Sequence, residues 1–443
     1  MLTSESGRAY WRLSFSIAFA LAFTAFSAGI SRGDDAKKFF FGAGNAPEGY
    51  TKVLPTAAYS DQAGYGYERA PKITAVDNGA ADALHSGYST ASGLFFFSIA
   101  EPEGNYKVTV TLGDAKGEST TTVKAELRRL ILEGVHTAAG EFVTKSFIVN
   151  VRVPEFGDGK KVGLKDREKS SESWAWDNKL TLEFNDKRPC LCALEVEKVD
   201  VPTVYILGDS TVCDQPGEPF CSWGQMFPVF FKPEIAIANH AESGESVASS
   251  NGARRMDKIL SLIKAGDYFL VQFGHNDMKS KAADASDSYK AGLKRWVEAV
   301  KAKGATPVIV TPMNRYSFDG DTITNSLRDY PDKAREAAKE ENAALIDLNA
   351  MSKTLYETAG PEKAIMLFEH TSPTKFDHTH HSPYGAYELA KCIVQGIRDD
   401  KLGLAKFIVD GLPPFDPAHP DSEESFKVPP TTSGRPAATP LGN

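Results

Sequence analysis

Four short motifs in the second half of the chain carry side chains that can do chemistry together. In order they are Gly208-Asp209-Ser210-Thr211, Glu242-Ser243-Gly244-Glu245-Ser246, Gly274-His275-Asn276-Asp277 and Asp377-His378-Thr379-His380. Between them they offer a nucleophilic hydroxyl, an imidazole base, a carboxylate to orient that base, and amide donors for an oxyanion. Hydrolysis of an ester through an acyl-enzyme requires these parts.

The first motif places Ser210 directly after a short apolar run, residues 204–207, which predicts a buried strand. Ligands bind beyond the carboxyl ends of the strands in an open parallel sheet. We therefore predict Ser210 at an exposed strand-to-helix turn, as the nucleophile. Taken alone, the motif is more typical of an ordinary turn with a helix cap. Asp209 is expected to bond turn amides and not to orient the base.

The second and third motifs follow two further predicted strands and supply candidate oxyanion donors. The side-chain amide of Asn276 can donate to a developing negative charge, and Gly244 can bring its backbone amide close because it has no Cβ. The alternative without a catalytic role is that Gly274-His275-Asn276-Asp277 is a polar loop and that Gly244 is a turn glycine.

The fourth motif sets Asp377 three residues before His380, at a predicted loop that leads into a helix. On one turn the carboxylate can bind one ring nitrogen while the other takes the proton of Ser210. The neighbouring His378 and His381 raise zinc as an alternative, but no ordered cysteine or carboxylate spacing completes a tetrahedral site. We predict neither metal nor cofactor, and expect both of these histidines at the surface.

Two residues near these motifs are candidate substrate-binding residues, Trp223 and His275. For Trp223 a core position is the alternative, because it begins a predicted helix. Trp174 and Trp176 are two residues apart and are expected in the core, with stacking on sugar rings as the alternative.

The four motifs resemble those of the SGNH/GDSL hydrolases. The Glu218-Pro219 and Ser222-Trp223-Gly224-Gln225 runs and Asn239-His240-Ala241 narrow the resemblance to the rhamnogalacturonan acetylesterase branch. It implies that Ser210, Gly244 and Asn276 form the oxyanion hole together. One residue departs from the pattern: Glu245 stands where the family usually has a basic residue, which removes a cation that could meet a galacturonate carboxylate.

The elements that must position these motifs change character at residue 201. Short apolar strands alternate with amphipathic helices through 201–410, which predicts an α/β domain with a flavodoxin-like, doubly wound parallel sheet. The predicted strands are 204–207, 235–238, 268–273, 307–311 and 344–346, and the predicted helices are 254–263, 288–303, 331–342 and 383–398.

Residues 38–200 contain short alternating runs bounded by turn residues, which predicts an all-β sandwich. Scattered aromatic and glycine positions near its start resemble the galactose-binding-like domains found ahead of many bacterial pectin-type acetylesterases. Residues 155–173, rich in charged residues, glycine and serine, are predicted to be a long exposed loop.

The two ends of the chain differ from both domains. Residues 1–28 combine early arginines, an apolar run and small residues, as a cleaved signal peptide does, with a membrane anchor as the alternative. We therefore predict a secreted or periplasmic protein without stable membrane association. Residues 411–443 are rich in proline, which forbids a helix or a central strand; Phe415 and Phe426 are expected to dock, and the final residues to be disordered.

Bulk properties exclude some functions. With 443 residues, two domains are expected, and 42% hydrophobic and 24% charged residues are typical of a soluble globular protein. A formal net charge of −8 offers no case for nucleic acid. Five cysteines leave at least one without an intramolecular partner, and only a Cys213–Cys221 disulfide is expected.

The leading hypothesis is a carbohydrate O-acetylesterase that acts on an acetylated polysaccharide, foremost rhamnogalacturonan. A xylan or hemicellulose deacetylase, or another GDSL esterase, is the alternative within the class. A carbohydrate-binding protein without catalysis is the alternative from another class, and the full set of catalytic residues argues against it.

Overall fold

The computed structural model describes residues 36–69, 72–79, 82–372 and 375–432. The predicted signal peptide and the last part of the tail, residues 433–443, lie outside these ranges. Among the described residues no helix is both long and apolar enough to cross a membrane.

Residues 37–199 form two sheets that share one core. Phe97 and Leu182 from one sheet pack against Val108 and Leu194 from the other. The strands are β1 (Lys37–Phe40), β2 (Thr51–Lys52), β3 (Tyr65–Glu68), β4 (Ile73–Asp77), β5 (Gly87–Ala91), β6 (Phe95–Ala100), β7 (Gly104–Gly113), β8 (Ser119–Ala125), β9 (Arg129–Thr137), β10 (Phe142–Val151), β11 (Glu155–Phe156), β12 (Lys160–Lys161), β13 (Lys179–Asn185) and β14 (Leu191–Val199). We call residues 37–199 the β part.

Strand pairing in the β part is mostly antiparallel. A seven-stranded sheet follows the order β10-β7-β14-β1-β2, with β4 and β5 attached at β14, and a five-stranded sheet follows the order β3-β6-β13-β8-β9. The alternation of apolar residues in β13 predicts its inner face correctly, but its outer face is also buried. Thr431 Oγ1 of the tail donates to Glu183 Oε2 on that face at 2.8 Å, so the tail continues over the β part.

Residues 203–408 are built around a five-stranded parallel sheet. The strands are β15 (Thr203–Gly208), β16 (Ala236–Asn239), β17 (Tyr268–Gln272), β18 (Thr306–Val310), β19 (Phe318–Asp319), β20 (Thr322–Ile323), β21 (Ala344–Ile346), β22 (Phe368–Ser372) and β23 (Lys375–His381). The parallel sheet has the order β16-β15-β17-β18-β21, and two short hairpins, β19–β20 and β22–β23, lie outside it. We call residues 203–408 the hydrolase part.

Helices cover both faces of the parallel sheet. They are α1 (Trp223–Met226), α2 (Val247–Gly252), α3 (Arg255–Leu262), α4 (Ala285–Ala302), α5 (Tyr330–Glu340), α6 (Leu348–Ala364) and α7 (Pro383–Asp399). Ile206 and Leu270 belong to the cluster that contains α1, α6 and α7 side chains. Leu207 and Val271, the next residue on each strand, belong to the cluster of α2 to α5. Successive residues thus face opposite layers, as a sheet buried on both sides requires.

The predicted exposed loop, residues 155–173, is instead folded against the hydrolase part. Gly163 donates its backbone N–H to the carbonyl of Ala253 at 2.8 Å, and Lys258 Nζ donates to the carbonyl of Glu155 at 2.6 Å. Charged residues of this segment, which suggested solvation, instead form ion pairs with the hydrolase part: Lys165 with Glu245, Arg167 with Glu242 and Glu168 with Arg255. The exposure prediction is therefore right for residues 157–161 and 169–171 and wrong for Val162, Glu168 and Glu172, which are buried, because charge alone does not say whether its partner is water or protein.

The predicted disulfide is also wrong. All five cysteines, which lie within the described residues, are unpaired and buried. The Sγ atom of Cys213 is 3.2 Å from Ser243 Oγ, and that of Cys221 is 3.1 Å from Gln225 Oε1. Each thiol has its own polar neighbour, so the turn-rich loop between them does not bring the sulfur atoms together.

Candidate active site

Ser210, His380 and Asp377 form a hydrogen-bonded chain. His380 Nε2 lies 2.8 Å from Ser210 Oγ, and His380 Nδ1 lies 3.0 Å from Asp377 Oδ2. All three side chains are buried. An imidazole held in this way can take the hydroxyl proton as the oxygen attacks a carbonyl carbon, and the carboxylate then stabilises the imidazolium.

The acid and the base of this chain lie on a strand, β23, and not in the predicted loop. Residues 368–370 pair with residues 376–381 across the hairpin, so β22 advances by two residues while β23 advances by five. The extra residues of β23 form a β-bulge, which brings Asp377 and His380 to one side of the strand although they are three residues apart. Asp377 Oδ1 accepts the backbone N–H of Thr379 at 2.7 Å and that of His380 at 2.8 Å, which orients the carboxylate.

The turn that carries Ser210 is shaped by its neighbours. A Cβ at Gly208 would lie 2.7 Å from the backbone oxygen of Gln272, so glycine is required there. Asp209 Oδ1 accepts from the backbone N–H and the hydroxyl of Thr211, at 3.0 and 2.7 Å, as a turn-forming residue does. Burial alone would raise the pKa of Asp209, but His275 and these hydrogen bonds hold it below its usual value.

Two expectations for Ser210 differ from the structure. The turn is not followed by a helix, because α1 begins only at Trp223. The residue is also only 1% exposed, and residues 211–222 form a loop between it and α1. Phe220 from that loop packs edge-on against His380, with ring centroids 6.0 Å apart.

The two other motifs meet beside Ser210. Asn276 Nδ2 donates to the backbone oxygen of Glu245 at 2.9 Å, which joins the third motif to the second. Gln215 Nε2 donates to the backbone oxygen of Ser210 at 2.7 Å and lies 3.4 Å from Ser243 Oγ, which joins the second to the first. Among the described residues, the backbone N–H groups of Ser210 and Gly244 donate no hydrogen bond. Unused amides beside a nucleophile are suited to an oxyanion.

The two residues predicted to bind substrate are buried. Trp223 has no exposed surface, and its Nε1 donates to Gln272 Oε1 at 3.0 Å, so it belongs to the core beneath the site. His275 is 1% exposed, with Nδ1 3.5 Å from Asp209 Oδ2 and Nε2 3.1 Å from the backbone oxygen of Met313. Trp223 thus takes the core position that was its alternative, whereas substrate contact by His275, which is as buried as Ser210, stays a prediction.

The remaining histidines and tryptophans named from the sequence differ in how far they are exposed. His378 is exposed, as predicted, but His381 is fully buried beside Tyr356, with its Nε2 2.8 Å from the Tyr356 hydroxyl. Burial lowers the pKa of His381 to about 3. Trp176 is buried, as expected, while Trp174 is half-buried. Within the described ranges, no cluster of three or more histidine, cysteine or acidic side chains is arranged to hold a metal ion.

A carboxylate that the sequence does not reveal lies close to the chain of Ser210, His380 and Asp377. Glu369, on β22, is fully buried, and neither of its carboxylate oxygens has a hydrogen-bond partner among the described residues. Burial raises the pKa of Glu369 to about 7, and the nearby Asp377 acts in the same direction. A single glutamate between an aromatic residue and a histidine gives no sequence signal of this kind.

We expect Glu369 to make stability depend on pH. Because its pKa is higher in the folded than in the unfolded state, the folded protein binds more protons between about pH 4.5 and 7, and stability falls as pH rises through that window. Glu369→Gln should remove this component. Melting temperatures from pH 5 to 8 should show the variant gaining relative to wild type as pH rises. The exposed Glu362→Gln is the control, and a Glu369→Gln curve parallel to wild type would contradict the assignment.

The chain is similar to known proteins in both parts. Residues 204–393 match the family described as GDSL-like lipase/acylhydrolase. Residues 37–145 match the galactose-binding-like domain of β-agarase/YXIM esterase-like proteins.

The chain is also similar to individual proteins. Over 217 residues the chain is 37% identical to rhamnogalacturonan acetylesterase RhgT from Bacillus subtilis (strain 168), covering 46% of this chain and 94% of that protein. It is 29% identical over 390 residues to the esterase YxiM of the same organism, covering 84% of this chain and 92% of that one. A crystal structure of the Bacillus subtilis YxiM protein aligns at 26% identity, with a TM-score of 0.45, over 83% of this chain and 99% of that chain.

Proposed function

This chain belongs to the GDSL-like lipase/acylhydrolase family and is a serine ester hydrolase, and we propose that it removes acetyl groups from rhamnogalacturonan. The observation that carries the proposal is the unbroken chain from Ser210 Oγ through His380 to Asp377. We assign Ser210 as nucleophile, His380 as general base and acid, and Asp377 as the residue that orients His380.

In the proposed reaction Ser210 Oγ attacks the carbonyl carbon of the acetyl ester, and His380 Nε2 takes the hydroxyl proton. The same proton then passes to the sugar oxygen as its bond to the acetyl group breaks, which leaves an acetyl-serine. Water attacks this ester, His380 accepts a proton from it and returns one to Ser210 Oγ, and acetate leaves. Both tetrahedral intermediates carry an oxyanion, for which we assign the amides of Ser210 and Gly244 and the side chain of Asn276.

The names of two relatives support the choice of a sugar ester. RhgT is named for rhamnogalacturonan, and its similarity to this chain extends over 94% of its own length. Glu245, which departs from the family pattern, does not present its charge to a substrate: its carboxylate is 2% exposed and lies 2.7 Å from Lys165 Nζ. The departure therefore does not count against an acidic polysaccharide such as rhamnogalacturonan.

Two further assignments belong to the same proposal. We infer a doubly wound, flavodoxin-like classification for the hydrolase part; the strand order β16-β15-β17-β18-β21 and helices on both faces support it. We also infer a division into a β-sandwich, residues 38–200, and a hydrolase domain, residues 201–410, followed by a tail that docks through residue 431.

Acetate release from acetylated rhamnogalacturonan and from acetylated xylan, measured side by side, tests the substrate. We expect faster release from rhamnogalacturonan and none above background with Ser210→Ala. Faster release from xylan would replace the proposed substrate by hemicellulose. Hydrolysis of 4-nitrophenyl acetate without release from either polymer would show an esterase that acts on another acetylated compound.

A further inference from the structure

We propose that Lys165 and Arg167 of the β part hold the Ser243–Gly244 peptide in the orientation that the oxyanion hole needs. This role rests on the proposed function, in which the Gly244 amide is one of the oxyanion donors. Both are positioning residues, because they contact the peptide and not the reacting atoms. The β part would then contribute to catalysis in the hydrolase part.

Two cations bind the same backbone oxygen. Lys165 Nζ donates to the carbonyl oxygen of Ser243 at 2.6 Å, and Arg167 Nη2 donates to it as well. The same side chains bind the carboxylates on either side of that carbonyl. Arg167 Nε donates to Glu242 Oε1 at 2.7 Å, and Lys165 Nζ lies 2.7 Å from Glu245 Oε1. The loop that contains Gly244 is thus held at three acceptors, and hydrogen bonds to charged groups are the stronger ones.

The geometry of a trans peptide turns this contact into a constraint on the amide. The carbonyl of Ser243 and the N–H of Gly244 lie in one plane and point in opposite directions. With the carbonyl fixed toward Lys165 and Arg167, the N–H must point away from the β part. No described residue accepts from this N–H, so it is available for an oxyanion.

Gly244 itself resists a change of peptide orientation only weakly. Its φ of 77° lies in the left-handed region, and glycine reaches both signs of φ at little cost. Rotation of the Ser243–Gly244 peptide would turn a carbonyl oxygen toward the developing negative charge. The two cations oppose that rotation, because it would leave both without this acceptor in a half-buried place.

The clamping residues are themselves anchored to the hydrolase part. Directly after Arg167 in the chain, Glu168 binds Arg255 of α3 through two hydrogen bonds of 3.0 and 2.6 Å, and both side chains are fully buried. The backbone N–H of Lys165 donates to Glu168 Oε2 at 2.8 Å. The segment is therefore a fixed support and not a mobile surface loop.

The reversed charge at position 245 has an explanation in this contact. Where the family usually has a basic residue, Glu245 turns inward, and hydrogen bonds from Lys165 and Ser249 outweigh burial and lower its pKa. The cation comes from the β part instead of from the motif itself. The motif alone therefore lacks a positive charge, whereas in the folded protein Lys165 supplies one at the same place.

The test compares Lys165→Met, Arg167→Met and the double variant with Lys169→Met, a matched control. Lys169 lies in the same segment with a 59% exposed side chain and is paired with the surface carboxylate of Asp166. We measure kcat and KM for 4-nitrophenyl acetate, affinity for an alkylboronic acid that forms a tetrahedral adduct with serine, and the melting temperature. Arg167→Lys, which retains a cation, is the conservative variant.

We expect the double variant to lower kcat by about 10- to 100-fold, less than the loss of a whole oxyanion donor, with KM changed by less than about twofold. Affinity for the boronic acid should fall by a similar factor. Each single variant should show a smaller loss, Arg167→Lys should recover most of the activity, and Lys169→Met should match wild type.

A folded double variant with wild-type kcat and boronic acid affinity would overturn the proposal, as would an equal loss in Lys169→Met. If the double variant does not fold, the two single variants decide by the same criteria. The outcome is separable from that of the proposed function. Wild-type hydrolysis that Ser210→Ala does not abolish refutes the serine mechanism, whereas Ser210-dependent hydrolysis with unaffected clamp variants refutes only the clamp.

Discussion

Ser210→Ala and His380→Ala are each expected to lower kcat by about 10⁶-fold, and Asp377→Asn by about 10⁴-fold. The reason is the single path for the proton: Ser210 Oγ has one base within 2.8 Å, and that base has one carboxylate at its other nitrogen. Without the hydroxyl no acyl-enzyme forms, and without the imidazole the hydroxyl is not activated. With asparagine at 377, His380 is held in the wrong tautomer.

The effects of these substitutions on kcat should not be additive. Once Ser210 is removed, His380 and Asp377 have no proton to move, so Ser210→Ala/His380→Ala should be as slow as either single variant. Initial rates of 4-nitrophenyl acetate hydrolysis at saturating substrate measure this, with Ser261→Ala, an exposed serine on α3, as the control. A Ser210→Ala protein with more than about 1% of wild-type kcat would contradict the assignment of the nucleophile, because such losses are orders of magnitude larger.

Asn276→Ala is expected to lower kcat by about 10²- to 10³-fold, which corresponds to about 2.7–4 kcal/mol of the barrier, with little change in KM. The effect follows from the position of the Asn276 side-chain amide. In the free protein Asn276 Nδ2 donates to the backbone oxygen of Glu245, and the amide has a second hydrogen for an oxyanion beside Gly244. A donor that acts on the transition state more than on the bound ester lowers kcat when it is lost.

The control for Asn276→Ala is Asn251→Ala, an exposed asparagine at the end of α2. Because Asn276 also ties two loops together, the melting temperature of both variants must be measured with kcat and KM. A loss of activity that disappears at lower temperature, where the variant is fully folded, would indicate a structural role only. Persisting loss in kcat together with weaker binding of a boronic acid would identify an oxyanion donor.

Much of the hydrolase part follows from local sequence. The apolar runs predict all five parallel strands, with ends within a residue or two of those in the structure, because a strand buried on both faces has no polar positions to confuse the pattern. The helix α6 is missing from the sequence prediction. It contains Pro361 and a non-helical Gly360, residues that normally interrupt a helix and hide its periodicity.

The candidate site was likewise predicted only in part from the sequence. The types and order of the four motifs predict that Ser210, His380 and Asp377 come together, and the structure brings them within hydrogen-bond distance. The exposure of Trp223 and His275 was not predictable in this way. Both follow glycine-rich or turn-rich runs typical of loops, and only packing reveals that both are buried.

The motifs alone indicate the chemistry of this protein, because a serine, a histidine and a carboxylate in family order have few other uses. The surroundings of these residues depend on tertiary packing. The bulge of β23 that joins Asp377 to His380 and the buried Glu369 depend on pairing across a hairpin. The binding of Lys165 and Arg167 to Ser243 joins residues more than seventy positions apart. Such contacts leave no local pattern, because each residue alone is compatible with an exposed loop, and their energy arises only when the two parts pack.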